Sequence, residues 1–157
     1  VDGQADVVIG DGLVVEFPSS GIAHDLQVSI EWFKSSGTCA APTTAGEERF
    51  SEVGFTLRRP DGQLLSLVQP GNWTGIEATN ANNIETVFED SGVSPSSTSL
   101  PSGVDYSAAG GLMDPMLEDI ATGTWDLLAT DAAAGADVGN PQCLRMRLFC
   151  PCERLIY

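Results

Sequence analysis

The stretch Gly123-Thr124-Trp125-Asp126-Leu127-Leu128-Ala129-Thr130-Asp131 constrains the fold more than any other, because apolar residues recur at every second position, at Trp125, Leu127 and Ala129. A repeat of two is that of a β-strand buried on one face, and no helix of period 3.6 satisfies it. The loop Ala132 to Asn140 follows, with Gly135 and Gly139 supplying turn flexibility beside Asp131 and Asp137. Read alone, the segment is a late strand of a β-sandwich that ends at an acidic loop. It brings oxygen ligands to a sandwich edge but neither a nucleophile nor a base, which points to a binding or structural module before an enzyme.

Other segments repeat the pattern. From Asp25 to Phe33 the residues Leu26, Val28, Ile30 and Trp32 alternate with mostly polar neighbours, as in a half-buried strand. Val53 to Arg59 and Leu64 to Val68 flank Pro60-Asp61-Gly62-Gln63, where proline sets φ and glycine accepts a positive φ, so the pair reads as a β-hairpin. Val7-Val8-Ile9 and Leu13-Val14-Val15-Glu16-Phe17 are β-branched runs separated by the turn signal Gly10-Asp11-Gly12, and read as paired strands or as one strand plus an arm. Ile84 to Phe88 is a further short strand, Leu144 to Phe149 the last, and Met113 to Ile120 holds one helical turn around Pro115 to Asp119. Ser35 to Glu52, containing Cys39, reads as a long polar loop, and Ser91 to Gly103 as a surface loop rich in serine and proline. Short strands with frequent turns and no long amphipathic helix predict an all-β chain, an antiparallel sandwich of jelly-roll type.

With 157 residues the chain supports one core, and 1–157 is expected to be a single domain with an N-terminal strand or arm at 1–17, an insertion at 35–52 and a tail at 150–157. Seven basic residues against 22 acidic ones give a net charge of -15, which repels phosphate backbones and anionic lipid surfaces and argues against nucleic-acid binding. No apolar run approaches the roughly 20 residues of a membrane-spanning helix, so no membrane span is expected. A start at Val1, with neither an initiator methionine nor a signal peptide, reads as a processed or excised product of a secreted or cell-surface protein.

The four cysteines are Cys39, Cys143, Cys150 and Cys152. A strand from Leu144 to Phe149 holds Cys143 and Cys150 about 23 Å apart, too far for a disulfide, and a Cys150 to Cys152 bridge closes a small strained ring. One bridge from Cys39 to the C-terminal region is the simplest outcome and leaves thiols for another chain; four intrachain cysteines in a bent tail is the alternative. A zinc site lacks the paired spacing of a zinc ribbon.

Four segments in order carry a family resemblance: His24-Asp25-Leu26-Gln27-Val28-Ser29-Ile30; Leu57-Arg58-Arg59-Pro60-Asp61-Gly62 with Leu67; Phe88-Glu89-Asp90-Ser91; and Gly123-Thr124-Trp125-Asp126-Leu127 with Asp131. Together, spanning roughly Val14 to Phe149, they resemble the P domain, the β-sandwich that follows the catalytic domain of subtilisin-like proprotein convertases and occurs in many secreted bacterial proteins. The pattern departs from that family at Gly92, where alanine is common, in the absence of a glycine from Leu117 to Thr122, and in the Cys39 insertion and Cys150-Pro151-Cys152 tail. The resemblance implies a jelly-roll fold and calcium binding. The family's role beside a protease is not carried over, because this chain holds no protease domain.

Calcium needs six to eight hard oxygen ligands. Asp131 and Asp137 qualify through their glycine-containing loop, and Asp25 and Asp90 join them as the carboxylates of the resembling segments nearest the same edge. His24, the only histidine, has neither a nucleophile elbow nor a metalloprotease helix around it, so an enzyme is not expected. Trp32 and Trp125 sit on apolar strand faces and are expected in the core, which leaves Trp73, in a loop rich in proline, glycine and asparagine, as the candidate for stacking on a glycan. Asn72-Trp73-Thr74 is also a glycosylation sequon. The run Val7, Val8, Ile9, Leu13, Val14, Val15 and Phe17 is a candidate assembly arm that adds a strand to a neighbour's sheet. The expected function is therefore a non-catalytic extracellular structural or adhesive subunit. Its expected partners are copies of itself or a neighbouring extracellular domain. The alternative is an accessory carbohydrate- or protein-binding module of a secreted hydrolase or protease.

Overall fold

The computed structural model describes residues 7–8, 13–15, 26–38, 41–43, 48–73, 76–77, 84–95, 105–117, 123–132 and 142–149. Twelve strands lie among them: β1 (Val7–Val8), β2 (Leu13–Val15), β3 (Val28–Thr38), β4 (Ala41–Thr43), β5 (Glu48–Arg49), β6 (Val53–Arg58), β7 (Leu64–Val68), β8 (Ile76–Glu77), β9 (Ile84–Val93), β10 (Asp105–Tyr106), β11 (Gly123–Asp131) and β12 (Gln142–Phe149). The helical residues among those described are confined to short 3-10 turns such as Phe50–Glu52 and Asp114–Leu117. The described residues are all-β, as the period-two pattern requires.

Two five-stranded sheets account for most of the strands. The first runs β1-β11-β6-β7, with β2 also on β11; the second runs β10-β9-β3-β12, with β4 on β3; β5 and β8 form a separate pair. Pairing is antiparallel except between β10 and β9. Inward residues of both sheets meet in one hydrophobic cluster: Val28, Ile30 and Trp32 of β3, Val53, Phe55 and Leu57 of β6, Leu65, Leu67 and Val68 of β7, Phe88 of β9, and Trp125, Leu127 and Ala129 of β11. The alternation along β3 and β11 is therefore the pattern of this burial. An edge-to-face contact of Trp32 with Phe55, ring centroids 5.5 Å apart, joins the two sheets directly.

The Pro60-Asp61-Gly62-Gln63 hairpin forms as its residues dictate. Gly62 takes φ of 91°, the Gly62 N–H donates to the Arg59 carbonyl (2.9 Å), and Asp61 Oδ1 accepts from the Gln63 N–H (3.0 Å). Arg59, buried beside this turn, donates to Gln63 Oε1 and pairs with Asp61.

Three local expectations are corrected. The polar stretch from Ser35 is not simply a loop: β3 continues to Thr38, β4 folds back on it with Thr43 opposite Ser36, and Glu48–Arg49 pairs with Ile76–Glu77. Ser36 lies between Gln142 and Thr43, so ladder bonds on both sides override the weak strand propensity of a Ser-Ser-Gly run. Ser91 to Val93, expected in a loop, extends β9. Finally, the described segments Val7–Val8 and Leu13–Val15 pair with β11 rather than with each other. Val7 and Val8 pair with Ala129 and Leu128, and Leu13 to Val15 pair with Trp125 to Gly123, so both segments run antiparallel to β11.

Candidate functional site

The densest set of polar contacts gathers where β9 meets the entry of β3 and the 3-10 turn at Asp114. Asp90 on β9 accepts the Met113 N–H on Oδ1 and the Asp114 N–H on Oδ2 (3.1 Å). Asp114 Oδ1 in turn accepts the Leu26 N–H (3.2 Å) just before β3. Glu89 takes the Gln27 side-chain amide on Oε2 (3.1 Å) and the Ser91 hydroxyl on Oε1. These carboxylates thus hold backbone and side-chain donors from three segments far apart in sequence. Asp90 caps a short helical turn whose first amides have no internal partner. Asp114 went unrecognised in the sequence, although aspartate immediately before Pro115 is a helix-start signal.

Gly92 closes the same region. A Cβ on it would stand 2.2 Å from the Tyr106 carbonyl carbon and 2.6 Å from Ser107 N, and the Ser107 N–H donates to the Val93 carbonyl (2.9 Å). The register of β10 moves here from Val87, opposite Asp105, to Val93, opposite Tyr106. β10 therefore lies where a methyl group on residue 92 would be.

As calcium ligands the four aspartates fare differently. Asp25 and Asp137 lie outside the described residues. Asp131 is the last residue of β11, in register with Val53, so its backbone belongs to the ladder rather than to the following loop. Asp90 is turned to the backbone amides of Met113 and Asp114, an arrangement that fits a cap better than a metal ligand. Among the described residues, no group of three His, Cys, Asp or Glu side chains could hold a metal ion.

Trp73 is corrected as a glycan platform. It is fully buried, stacked on Trp32 with centroids 5.4 Å apart and planes 9° from parallel, and edge-on to Phe55 and Tyr106. The polar loop around it is misleading because Gly71 and Asn72 turn the chain inward: Gly71 takes φ of 89°, and Asn72 Oδ1 accepts the Gln69 N–H (2.8 Å). Trp32 and Trp125 are buried as expected.

The described residues of the candidate arm, Val7, Val8, Leu13, Val14 and Val15, pair with β11 of their own chain; Ile9 and Phe17 lie outside the described residues. Of the cysteines, Cys143 sits in β12 opposite Ser35, while Cys39, Cys150 and Cys152 lie outside the described residues, as does His24. Thr38, which precedes Cys39, ends β3, whereas Phe149, which precedes Cys150, stands opposite Ser29 near the start of β3.

On the first sheet, Arg58 and Asp126 are directly opposite in register, and the Arg58 guanidinium donates through Nε (2.9 Å) and a terminal nitrogen to Asp126 Oδ2. No family model, curated protein or solved structure matches this chain. Among the described residues no helix is long and apolar enough to cross a membrane.

Proposed function

We propose that this chain is a non-catalytic structural or adhesive module of the extracellular space or cell surface, a jelly-roll sandwich of P-domain type that associates through its sheet edges. The sandwich reading draws on the single core shared by the two five-stranded sheets. The P-domain reading draws on the four resembling segments. Three of them coincide with the β6–β7 hairpin, β9 and β11, and the fourth leads into β3.

The observation that carries the association reading is the asymmetry of the edges. Beyond β7, the Ala109 and Gly110 N–H groups donate to the Leu67 and Ser66 carbonyls (2.9 and 2.8 Å), and the same segment begins as β10 on β9. One side of the two sheets is thereby closed by a single crossing segment. The far ends of the two strand orders, β1 and β12, have no further strand beside them among the described residues. An edge with unpaired backbone donors and acceptors is a template for another strand. Calcium stabilisation belongs to the same proposal and rests on Asp25, Asp131 and Asp137.

Light scattering of the non-reduced protein in calcium-containing buffer tests the reading. Particles many times the 16.5 kDa chain are expected. A sharp monomer across the concentration range would remove self-association and leave the accessory-module alternative, which Trp73, being buried, no longer supports as a glycan binder.

A further inference from the structure

Asn72-Trp73-Thr74 is the single Asn-x-Ser/Thr sequence of the chain, and association through sheet edges makes no use of it. Its first residue closes a tight turn after β7. The Asn72 N–H donates to the Gln69 carbonyl (3.0 Å), and Asn72 Oδ1 accepts the Gln69 N–H (2.8 Å). The turn is itself tied to the sheet. The Gly71 N–H donates to the Ser51 carbonyl (2.6 Å) just ahead of β6, and Pro70 lies against Gly54, where a Cβ would meet Pro70 Cδ at 2.8 Å. Gln69, Pro70 and Gly71 are exposed, and Asn72 is half-buried.

These bonds orient the side-chain amide. Because a backbone N–H is the donor, the end of the amide held in the turn is the oxygen. Nδ2 is the other end. It has no partner among the described residues and is not one of the buried side-chain nitrogens that lack one, so it is open to solvent. A substituent on Nδ2 replaces one of its two hydrogens and leaves Oδ1 able to accept, so a group attached there projects from the turn without breaking the bond that closes it.

The next residue faces the other way. Trp73 is fully buried and stacked on Trp32. An enzyme that reads Asn72 together with Thr74 must hold the backbone on both sides of that indole, which is possible only while the core is open. We infer that Asn72 carries an N-linked glycan, attached through Nδ2 before Trp73 enters the core. The donor class is an oligosaccharide on a lipid pyrophosphate. The bond from its anomeric carbon to the pyrophosphate oxygen breaks, a bond from that carbon to Nδ2 forms, and Nδ2 gives up one proton as the lipid pyrophosphate leaves. The inference rests on the extracellular part of the proposed function. A bulky solvated group at this position also keeps the 69–72 turn out of any association surface.

The test expresses the full chain behind a secretory leader in cultured animal cells, beside Thr74→Ala, which destroys the sequon and leaves Asn72 and the turn residues in place. The unaltered chain is expected to migrate more slowly until treated with peptide N-glycosidase, with Asn72 the modified residue in a peptide map. Thr74→Ala is expected to lose that shift. Order of events is read on chain made in bacteria, folded, and then given solubilised transferase and donor, with an acceptor tripeptide as control. The tripeptide should be modified and the folded chain should not. Secretion of an unmodified chain, or modification of the folded chain as fast as the tripeptide, overturns the inference. The function is read separately. A chain secreted without glycan sinks this inference and leaves the extracellular reading standing, whereas a glycosylated chain that light scattering shows to be strictly monomeric supports it and removes self-association alone.

Discussion

The indole of Trp73 lies parallel to that of Trp32 at a centroid distance of 5.4 Å, so a residue from a polar turn forms the middle of the core. Both rings also contact Phe55, and Trp73 continues to Phe88 and Tyr106, linking β6, β3, β9 and β10 through one side chain. Trp73→Ala is expected to destabilise the fold by about 3–5 kcal/mol, the cost of emptying a large buried aromatic site. Trp73→Phe is expected to cost less, since Trp73 Nε1 is buried without a hydrogen-bond acceptor among the described residues and its loss removes an orphaned donor. Urea unfolding gives the ordering. Near-UV circular dichroism should lose the coupled-indole signal in both variants, and an unchanged spectrum would contradict the stack.

Gly92→Ala tests the approach of β10 to β9. The new methyl group meets the Tyr106 and Ser107 backbone rather than a yielding side chain, so it can be accommodated only by moving β10. A loss of about 1–3 kcal/mol or more is expected. The faster exchange should centre on residues 105–110 because their bonds to Val93, Leu67 and Ser66 close that side of the molecule. Unaltered stability would mean that β10 does not lie against Gly92.

Calcium and Asp90 can be separated. Replacing Asp90 with alanine leaves the Met113 and Asp114 amides without their acceptor and should cost about 1–3 kcal/mol whether or not metal is present. The proposed function expects calcium to raise the melting midpoint above that of chelator-treated protein, and by the same amount in Asp90→Ala. Equal midpoints with and without chelator would remove calcium from the proposal, and a calcium effect lost in Asp90→Ala would make Asp90 a ligand.

The register of β3 with β12 bears on the cysteines. Thr38 lies nine residues beyond Ser29, the residue opposite Phe149, about 30 Å along the strand. The one residue from Thr38 to Cys39 and the three from Phe149 to Cys152 span at most about 15 Å of chain. Peptide maps of oxidised monomer are therefore expected to lack any bridge from Cys39 to Cys150 or Cys152. Detecting one in the monomer would show that β12 pairs with β3 in a different register.

Alternation along the chain was sufficient to locate β3, β6, β7 and β11, and to assign Val28, Ile30, Trp32, Trp125, Leu127 and Ala129 to the interior. Period two is the direct imprint of one buried face, so it survives without knowledge of the neighbours. The Pro-Asp-Gly turn was equally legible, because its φ requirements belong to the residues themselves. Partner choice was not legible. Gly10-Asp11-Gly12 satisfies the chemistry of a turn, yet both flanking segments lie along β11, and a Ser-Ser-Gly run became strand because two neighbours bond to it.

What the sequence alone determined was the all-β class, the inward face of each main strand and the acidity of the surface, all of which are local or additive properties. Only the tertiary structure decided that Trp73 belongs to the core, that Asp90 and Asp114 hold backbone amides, that Gly92 cannot carry a side chain, and that β12 pairs with β3. Each of these depends on which distant segment arrives at a given place. That is settled by how the whole core closes, and no window of neighbouring residues contains it.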